Sequence, residues 1–198
     1  MIIGLCGGSG SGKGEVCSAF LKLGIPSIDT DLVYHELTST MSDCLKEIRD
    51  AFGDSVISNG ALDRRELSRI VFADGAENKR SLLNNIAHKH ILAATRNIAA
   101  DLFKKGYDHV IIDAPLLFES GFDKECDLII GVIAHREIRV SRIMQRDGID
   151  YDSALRRIEA QMSDTELKEK CNYIIENNRD ISDLQSAVSK IKDDILGG

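Results

Sequence analysis

The sequence predicts an α/β fold in three layers, with a mostly parallel five-stranded sheet between two layers of helices. Five short apolar runs are bounded by polar residues, amphipathic patterns separate them, and a glycine-rich segment follows the first run directly. Strands that alternate with helices are typical of a parallel sheet covered on both faces. The predicted strands are residues 1–6, 25–28, 109–113, 126–134 and 173–176.

The composition fits one globular domain. A chain of 198 residues is long enough to bury roughly 70% of the surface that its unfolded state exposes. With 43% hydrophobic and 29% charged residues, it is close to the average for folded proteins. The sequence has no apolar run of the roughly 18 residues that a membrane helix needs, and residues 1–5 lack the basic leader of a secretory signal. We therefore expect a cytoplasmic protein with no membrane partner.

The charge and the cysteines exclude several other classes. A formal net charge of −7 argues against a large nucleic-acid surface, because such surfaces neutralise phosphates with Lys and Arg. The five cysteines are spread out and form no C-x-x-C pair, which argues against a zinc or redox motif. His88 and His90 have no ligand constellation around them, so we expect no metal there. A monomer that acts on small molecules is the expectation.

A glycine-rich loop connects the first predicted strand to the first predicted helix. Gly7-x-x-x-x-Gly12-Lys13 stands directly before the helix-periodic residues Val16 and Phe20. Glycines allow successive backbone N–H groups to turn inward around a phosphate, and Lys13 can reach the β- and γ-phosphates. This arrangement is typical of a P-loop NTPase, and it predicts an ATP site. The candidate ATP-binding residues in the loop are Gly8, Ser9, Gly10, Ser11, Gly12, Lys13, Gly14 and Glu15.

The residue after Lys13 departs from the common P-loop pattern. Gly14 stands where Ser or Thr usually provides a hydroxyl ligand for Mg²⁺. Adenylate-kinase-like loops share this glycine, so a metal could be bound through waters and distant carboxylates. The same departure leaves open a nucleotide-binding regulatory module with weak turnover.

Carboxylates follow two of the predicted strands. Asp29 and Asp31 end the second one, which we expect to lie beside the glycine loop. A phosphoryl acceptor needs a carboxylate to orient its hydroxyl and take its proton, and Asp31 is the candidate base. The alternative is that Asp29 or Asp31 caps the helix that begins near Leu32.

Asp113 ends the third predicted strand. An acidic residue after a buried apolar run is typical of a Walker B carboxylate, which binds Mg²⁺ directly or through water. Asp113 is therefore the candidate metal ligand. The alternative is a turn residue at the strand end.

Residues 32–105 contain amphipathic stretches but no evident strand, so we expect a helical insertion that binds the substrate. Basic residues then cluster between positions 136 and 169. Arg139, Arg142 and Arg146 are spaced so that they share one helix face, and a second cluster runs from Arg156 to Gln161. Arginines on a closing lid neutralise a transferring phosphoryl group. The alternative is a solvated helix face that pairs with Glu137 or Asp147.

Assembled in this order, the motifs resemble the dephospho-coenzyme A (CoA) kinase family of P-loop kinases over nearly the whole chain. The glycine loop alone says little about the substrate. Its combination with Asp-x-Asp, Leu-Asp-Arg and Pro-Leu-Leu-Phe-Glu stretches is specific. The resembling stretches are residues 4–13, 28–31, 62–64, 83–88, 115–119, 142–147, 157–161 and 177–178.

The resemblance implies transfer of the ATP γ-phosphoryl group to the ribose 3′-hydroxyl of dephospho-CoA, the final step of CoA biosynthesis, with ATP and Mg²⁺ as cofactors. It implies that Asp31 is the base, that Lys13 and Arg142 or Arg146 act on the phosphates, and that Asn177 lies near the nucleotide. The residues implied to bind the substrate are Asp31, Leu62, Arg64, Asn85, His88, Pro115, Leu116, Arg157 and Gln161. A kinase for another small alcohol or nucleoside is the alternative enzyme.

The resemblance also divides the chain into parts. The expected core comprises residues 1–31, 106–135 and 170–198, the insertion that binds CoA comprises residues 32–105, and the lid comprises residues 136–169. The chain departs from the family pattern at Gly14 and Glu15, where hydroxyl residues are usual.

Overall fold

The computed structural model describes residues 1–196, so the last two residues of the expected core segment 170–198 lie outside the described part. The strands are β1 (Ile2–Cys6), β2 (Ser27–Asp29), β3 (Ile57–Ser58), β4 (Ala61–Leu62), β5 (Val110–Asp113), β6 (Leu128–Ile133) and β7 (Tyr173–Glu176). The helices are α1 (Lys13–Lys22), α2 (Thr30–Ser39), α3 (Asp43–Phe52), α4 (Arg64–Val71), α5 (Glu77–Lys104), α6 (Arg136–Asp147), α7 (Tyr151–Glu159), α8 (Asp164–Lys170) and α9 (Ile181–Leu196). Short 3₁₀ turns occupy Asp54–Val56 and Phe122–Glu125.

A five-stranded sheet with the order β2-β5-β1-β6-β7 confirms the predicted α/β fold. Strand β1 pairs in parallel with β5 and β6, and β6 pairs in parallel with β7. The sequence analysis expected the end of the second strand to lie beside the glycine loop, but β5 lies between β2 and β1. A one-dimensional pattern does not encode strand order, and β5 joins the sheet from more than 100 positions further along the chain. The carboxyl end of β5, and not that of β2, is therefore the neighbour of β1.

The chain divides into two compact units. The first unit contains Met1–Ile28 together with the chain from Leu102 onward. Its main core packs β1 against α1 and α9, through fully buried side chains such as Leu5, Phe20 and Val188. Complete burial of an aliphatic or aromatic side chain contributes roughly 1.5–3 kcal/mol. This packing supports β1 and the first turn of α1, between which the glycine loop is held.

The second unit, Asp29–Asp101, has a core of its own. Buried residues from three helices and the turn before β3 form that core: Cys44, Ile48, Val56, Leu67, Val71 and Ile86. Side chains cap three of the helices that begin within this unit. Asp29 caps α2, Ser42 caps α3 and Asp63 caps α4.

The second unit also contains a small β-hairpin that the sequence analysis did not expect. Strands β3 and β4 pair antiparallel, with Ile57 opposite Leu62 and Ser58 opposite Ala61. The two residues between the strands are Asn59 and Gly60, with φ values of 50° and 78°. Asn-Gly with two positive φ angles is the preferred connection of a tight hairpin. Two-residue strands are too short to show an alternating pattern, but the Asn-Gly pair was a usable signal.

None of the helices in the described part of the chain is both long enough and apolar enough to cross a bilayer.

We predict that Gly60→Ala lowers the free energy of unfolding by about 1 kcal/mol, because a left-handed backbone is unfavourable for a residue with a Cβ. A Cβ at this position would meet no atom within 4 Å, so the effect is conformational and not steric. Urea unfolding measures the change. Gly60→Asn is the matched control and should be milder, because asparagine tolerates this conformation. An alanine variant as stable as the parent would contradict the assigned turn.

Candidate active site

The glycine loop, residues 7–13, links β1 to α1 and closes on itself through backbone hydrogen bonds. The N–H of Ser11 donates to the carbonyl of Gly8 at 3.1 Å, and the N–H of Glu15 donates to the carbonyl of Gly12 at 3.1 Å. Gly10 and Gly12 have φ values of 76° and 96°, which favour glycine. Among the described residues, no side chain caps the N-terminus of α1. The N-terminus of this helix is therefore left without a side-chain cap, as an anion site requires.

Lys13 lies at the start of α1 and reaches back across the loop. Its Nζ donates to the carbonyl of Gly7 at 3.0 Å and lies 3.9 Å from Oδ1 of Asp113. Asp113 is adjacent because it ends β5, where it is the register partner of Leu5 in β1. The Cys17 thiol also lies against this carboxylate, at 3.8 Å from Oδ2. Burial, followed by the charge of Asp113, raises the pKa of Cys17 to about 12.

Two side chains hold the outer side of the loop. Arg142 donates from Nη1 to the carbonyls of Gly10 at 3.1 Å and Ser11 at 3.4 Å, and from Nη2 to the carbonyl of Asn177 at 3.3 Å. Asn177 is buried and donates from Nδ2 to the carbonyl of Ser11 at 2.8 Å. The structure therefore brings together Lys13, Arg142 and Asn177, which the sequence analysis assigned to the nucleotide.

Two residues of the expected lid also contact the loop. Gln161, predicted to bind the substrate, accepts a hydrogen bond from the N–H of Ser9 at 2.8 Å. Arg139 donates from Nε to the carbonyl of Ser9 at 2.9 Å. Sequence reasoning placed Arg139 on a shared helix face but did not include it among the site residues. Its i, i+3 spacing from Arg142 was the available signal.

A cavity of about 90 Å³ lies next to the loop. Gly7 and Gly8 line one part of it, and Pro115, Leu116 and Gln161 line another. Leu116 is 51% exposed. The cavity places two of the predicted substrate-binding residues, Pro115 and Leu116, beside the phosphate loop.

Two cysteines meet beside this cavity. Cys6, the last residue of β1, has its Sγ 3.5 Å from the Sγ of Cys171. The hydrogen bond between the two thiols, together with burial, raises the pKa of Cys6. The same hydrogen bond lowers the pKa of Cys171. Gly131 provides the space, because a Cβ there would lie 2.9 Å from the Cys171 sulfur.

Two predicted arginines lie elsewhere in the first unit. Arg146 forms an ion pair with Asp147, with Nε 2.7 Å from Oδ1, and its side chain is 61% exposed. Arg157 also pairs with Asp147. The hydrogen bond from Arg146, with a further contribution from Arg157, lowers the pKa of Asp147 to about 2. The alternative of a solvated face paired with Asp147 therefore describes both residues in this structure.

The remaining predicted residues belong to the second unit. Asp29 accepts hydrogen bonds from the N–H groups of Asp31 and Leu32, so the capping alternative is right for Asp29. The carboxylate of Asp31 belongs to an exposed residue in the first turn of α2. Leu62 packs against the core of the unit, and Nη2 of Arg64 lies 2.7 Å from Nδ1 of His35. On α5, Asn85 is exposed and His88 is partly buried.

Comparison with known proteins identifies the family to which this geometry belongs. A family model described as dephospho-CoA kinase matches residues 1–183. The chain belongs to the dephospho-CoA kinase family. A dephospho-CoA kinase of Fusobacterium nucleatum is 39% identical over 194 residues, which cover 96% of each chain. One of Bacillus licheniformis is 34% identical, with 98% of this chain and 96% of the relative covered.

Solved structures agree with this assignment. A dephospho-CoA kinase from Campylobacter jejuni superimposes with a TM-score of 0.72 at 25% identity, covering 100% of this chain and 98% of that one. A Thermus thermophilus protein superimposes with a TM-score of 0.81 at 29% identity and the same coverage. A shikimate kinase from Acinetobacter baumannii, with a TM-score of 0.52 at 17% identity, shares the fold alone. The resemblance, the P-loop kinase fold and the transferase class are thereby confirmed.

The thiol pair gives a prediction about chemical reactivity. We expect iodoacetamide to alkylate Cys171 well before Cys6 in the native protein, because the thiolate is the nucleophile and the shared hydrogen bond lowers the pKa of Cys171 only. Peptide mass spectrometry after short labelling measures the order. Cys44, which is buried, serves as an internal control for unfolding. Faster labelling of Cys6 would contradict the assigned hydrogen bond.

Proposed function

We propose that the chain transfers the γ-phosphoryl group of ATP to the ribose 3′-hydroxyl of dephospho-CoA, giving CoA and ADP. Family membership over residues 1–183 supports the reaction. Within the chain, the geometry of the glycine loop supports the reaction. Arg142 and Asn177 donate hydrogen bonds to the outer carbonyls of the loop, and Lys13 and Asp113 lie at its edge. Such a loop is suited to bind a triphosphate through its N–H groups.

In this proposal ATP lies along residues 8–15. Lys13 leaves the carbonyl of Gly7 and donates to the β- and γ-phosphates, since a flexible ammonium can exchange one oxygen acceptor for another. Of the two arginines that the sequence left open, Arg142 is the better candidate for the phosphates. Arg142 contacts the loop, whereas Arg146 is exposed and paired with Asp147.

Asp31 is the proposed general base. The carboxylate of Asp29 accepts two backbone N–H groups as the cap of α2, and the family resemblance implies that Asp31 acts on the acceptor. The acceptor oxygen would form a bond to the γ-phosphorus while the bond to the ADP oxygen breaks. The hydroxyl proton would pass to the Asp31 carboxylate.

Magnesium is the proposed metal, and the residues present suit it. Mg²⁺ in kinases commonly keeps several waters and uses one or two carboxylates together with the substrate phosphates. Asp113, beside Lys13 at the end of β5, offers such a carboxylate. Bound there, the ion would neutralise phosphate charge.

The proposed acceptor site uses the residues that the family resemblance implies. Pro115 and Leu116 would contact the substrate from the cavity beside the loop. The second unit would bind it through Leu62, Arg64, Asn85 and His88. Arg157 and Gln161 would act from a lid over residues 136–169. We further propose that the protein works as a cytoplasmic monomer, without nucleic acid or membrane partners.

The reaction itself is tested with ATP, Mg²⁺ and a panel of alcohols that includes dephospho-CoA, shikimate and nucleosides. Chromatography should show CoA and ADP formed in equal amounts. Efficient turnover of another acceptor, without product from dephospho-CoA, would overturn the proposal. ATP binding without turnover of any acceptor would instead favour a regulatory module.

We predict that Asp31→Asn lowers kcat about 10²- to 10⁴-fold, the usual contribution of a positioned base, while the affinity for ATP is retained. Initial rates and isothermal titration with ATP measure the two effects. Glu36→Gln is the matched control, because it removes another exposed carboxylate from the same helix. An unchanged rate for Asp31→Asn would remove Asp31 from the role of base.

We predict that Gly14→Ser lowers the Mg²⁺ concentration needed for half-maximal rate, because a hydroxyl after the loop lysine can bind the metal. A Cβ at Gly14 would meet nothing within 4 Å, so the loop can accept the side chain. Gly14→Ala is the control without a hydroxyl. Equal Mg²⁺ dependence of the parent and both variants would count against a water-mediated metal site.

A further inference from the structure

Arg139 is a buried charge that the proposed reaction does not yet use. It is 5% exposed, although arginine is seldom buried without partners. Asp164 is its carboxylate partner, with Oδ1 3.4 Å from Nη1, and the Asp164 side chain is 42% exposed. Burial lowers the pKa of Arg139, and Asp164 partly opposes this shift. A guanidinium held in this way must be stabilised by its other hydrogen bonds.

Those other hydrogen bonds converge on one residue of the glycine loop, Ser9. Arg139 donates from Nε to the carbonyl of Ser9 at 2.9 Å and from Nη2 to Oε1 of Gln161 at 3.2 Å. The same Oε1 accepts from the N–H of Ser9 at 2.8 Å, and Nε2 of Gln161 lies 3.2 Å from the Ser9 hydroxyl. Ser9 is thus held at its N–H, its carbonyl and its side chain by two linked residues.

The two neighbours of Ser9, Gly8 and Gly10, pack closely against Arg139 and Gln161. A Cβ at Gly8 would overlap the guanidinium of Arg139 and lie 2.8 Å from Oε1 of Gln161. A Cβ at Gly10 would lie 2.6 Å from the backbone carbonyl oxygen of Arg139. Glycine is therefore required at both positions for the contact with Arg139, in addition to any contact with phosphate.

The contact determines which way the loop N–H groups point. The peptide bonds of the described chain are trans, so the C=O and N–H of each peptide unit point in opposite directions. Arg139 holds the Ser9 carbonyl outward and so directs the N–H of Gly10 inward. Arg142 and Asn177 do the same at the Ser11 carbonyl and so direct the N–H of Gly12 inward. Arg139 completes an outer row of donors that runs along the loop.

We propose that Arg139 is a positioning residue for ATP: through Gln161 and the Ser9 peptide it holds the glycine loop in the conformation that binds the phosphates, and it links that loop to residues 161–164. The inference rests on the proposed use of ATP. It assigns Gln161 a role on the phosphate loop, in addition to any contact with the acceptor.

The test measures ATP affinity by isothermal titration without acceptor, and separately the KM values for both substrates and kcat. Arg139→Ala should weaken ATP binding about 10- to 100-fold, the range for loss of hydrogen bonds to a charged group. The KM for dephospho-CoA should change less than twofold. Gln161→Ala should weaken ATP binding in the same direction, and Arg139→Lys should recover part of the loss.

Two controls separate positioning from general stability. Arg136→Ala removes an arginine one turn earlier in α6, where it pairs with Glu159 on an exposed surface, and it should leave ATP affinity unchanged. The double variant Arg139→Ala/Gln161→Ala should lose less affinity than the product of the two single losses, because the two side chains are hydrogen-bonded to each other and both hold Ser9.

The measured ATP affinities can either support or overturn the proposed role of Arg139. A selective loss of ATP affinity with non-additive single variants supports it. Unchanged ATP affinity in the folded variants, or an equal loss for both substrates, overturns it. If Arg139→Ala does not fold, unchanged affinity in both Arg139→Lys and Gln161→Ala overturns it. If the parent protein binds ATP but does not phosphorylate dephospho-CoA, the proposed acceptor is refuted. The ATP affinities of the variants would still decide the role of Arg139.

Discussion

The site depends on hydrogen bonds to the outer carbonyls of the glycine loop. A loop that binds phosphate must turn its N–H groups inward, and its carbonyls then face outward, where they need donors. Three side chains provide those donors to the consecutive residues Ser9, Gly10 and Ser11: Arg139, Arg142 and Asn177. Two of the donors are guanidinium groups, whose hydrogen bonds are stronger than neutral ones. The anion site therefore depends on the inner N–H groups of the loop and on the side chains that bind its outer carbonyls.

The glycines of the loop serve this outer packing as well as the phosphate. A Cβ at Gly12 would overlap the amide of Asn177, just as one at Gly8 would overlap Arg139. The motif is usually explained by the space that a phosphate needs. In this chain the absent Cβ groups also allow α6 and the end of β7 to approach the backbone. Substitution of either glycine would therefore disturb the supporting side chains even without nucleotide.

The sheet explains why these supports converge. β1 lies between β5 and β6, so the residues that follow these three parallel strands meet at one edge. The loop follows β1, Asp113 ends β5, α6 with its arginines follows β6, and Asn177 follows β7 at the outer position. Segments that are far apart in the chain therefore provide the glycine loop, the carboxylate beside Lys13, and the side chains that donate hydrogen bonds to the outer carbonyls of the loop.

By itself the sequence determined the five strands, the phosphate loop with Lys13 and the family, because strand periodicity and glycine spacing are local properties. It also identified Arg142 and Asn177, through a resemblance that covers nearly the whole chain. Tertiary structure alone decided that β5 separates β2 from β1, that Arg146 and Arg157 pair with Asp147, and that Arg139 is buried against Ser9. Three arginines on one helix face look alike in sequence. Only the packing of α6 against the loop distinguishes the buried guanidinium from the solvated one, because the difference lies in partners more than 100 positions away.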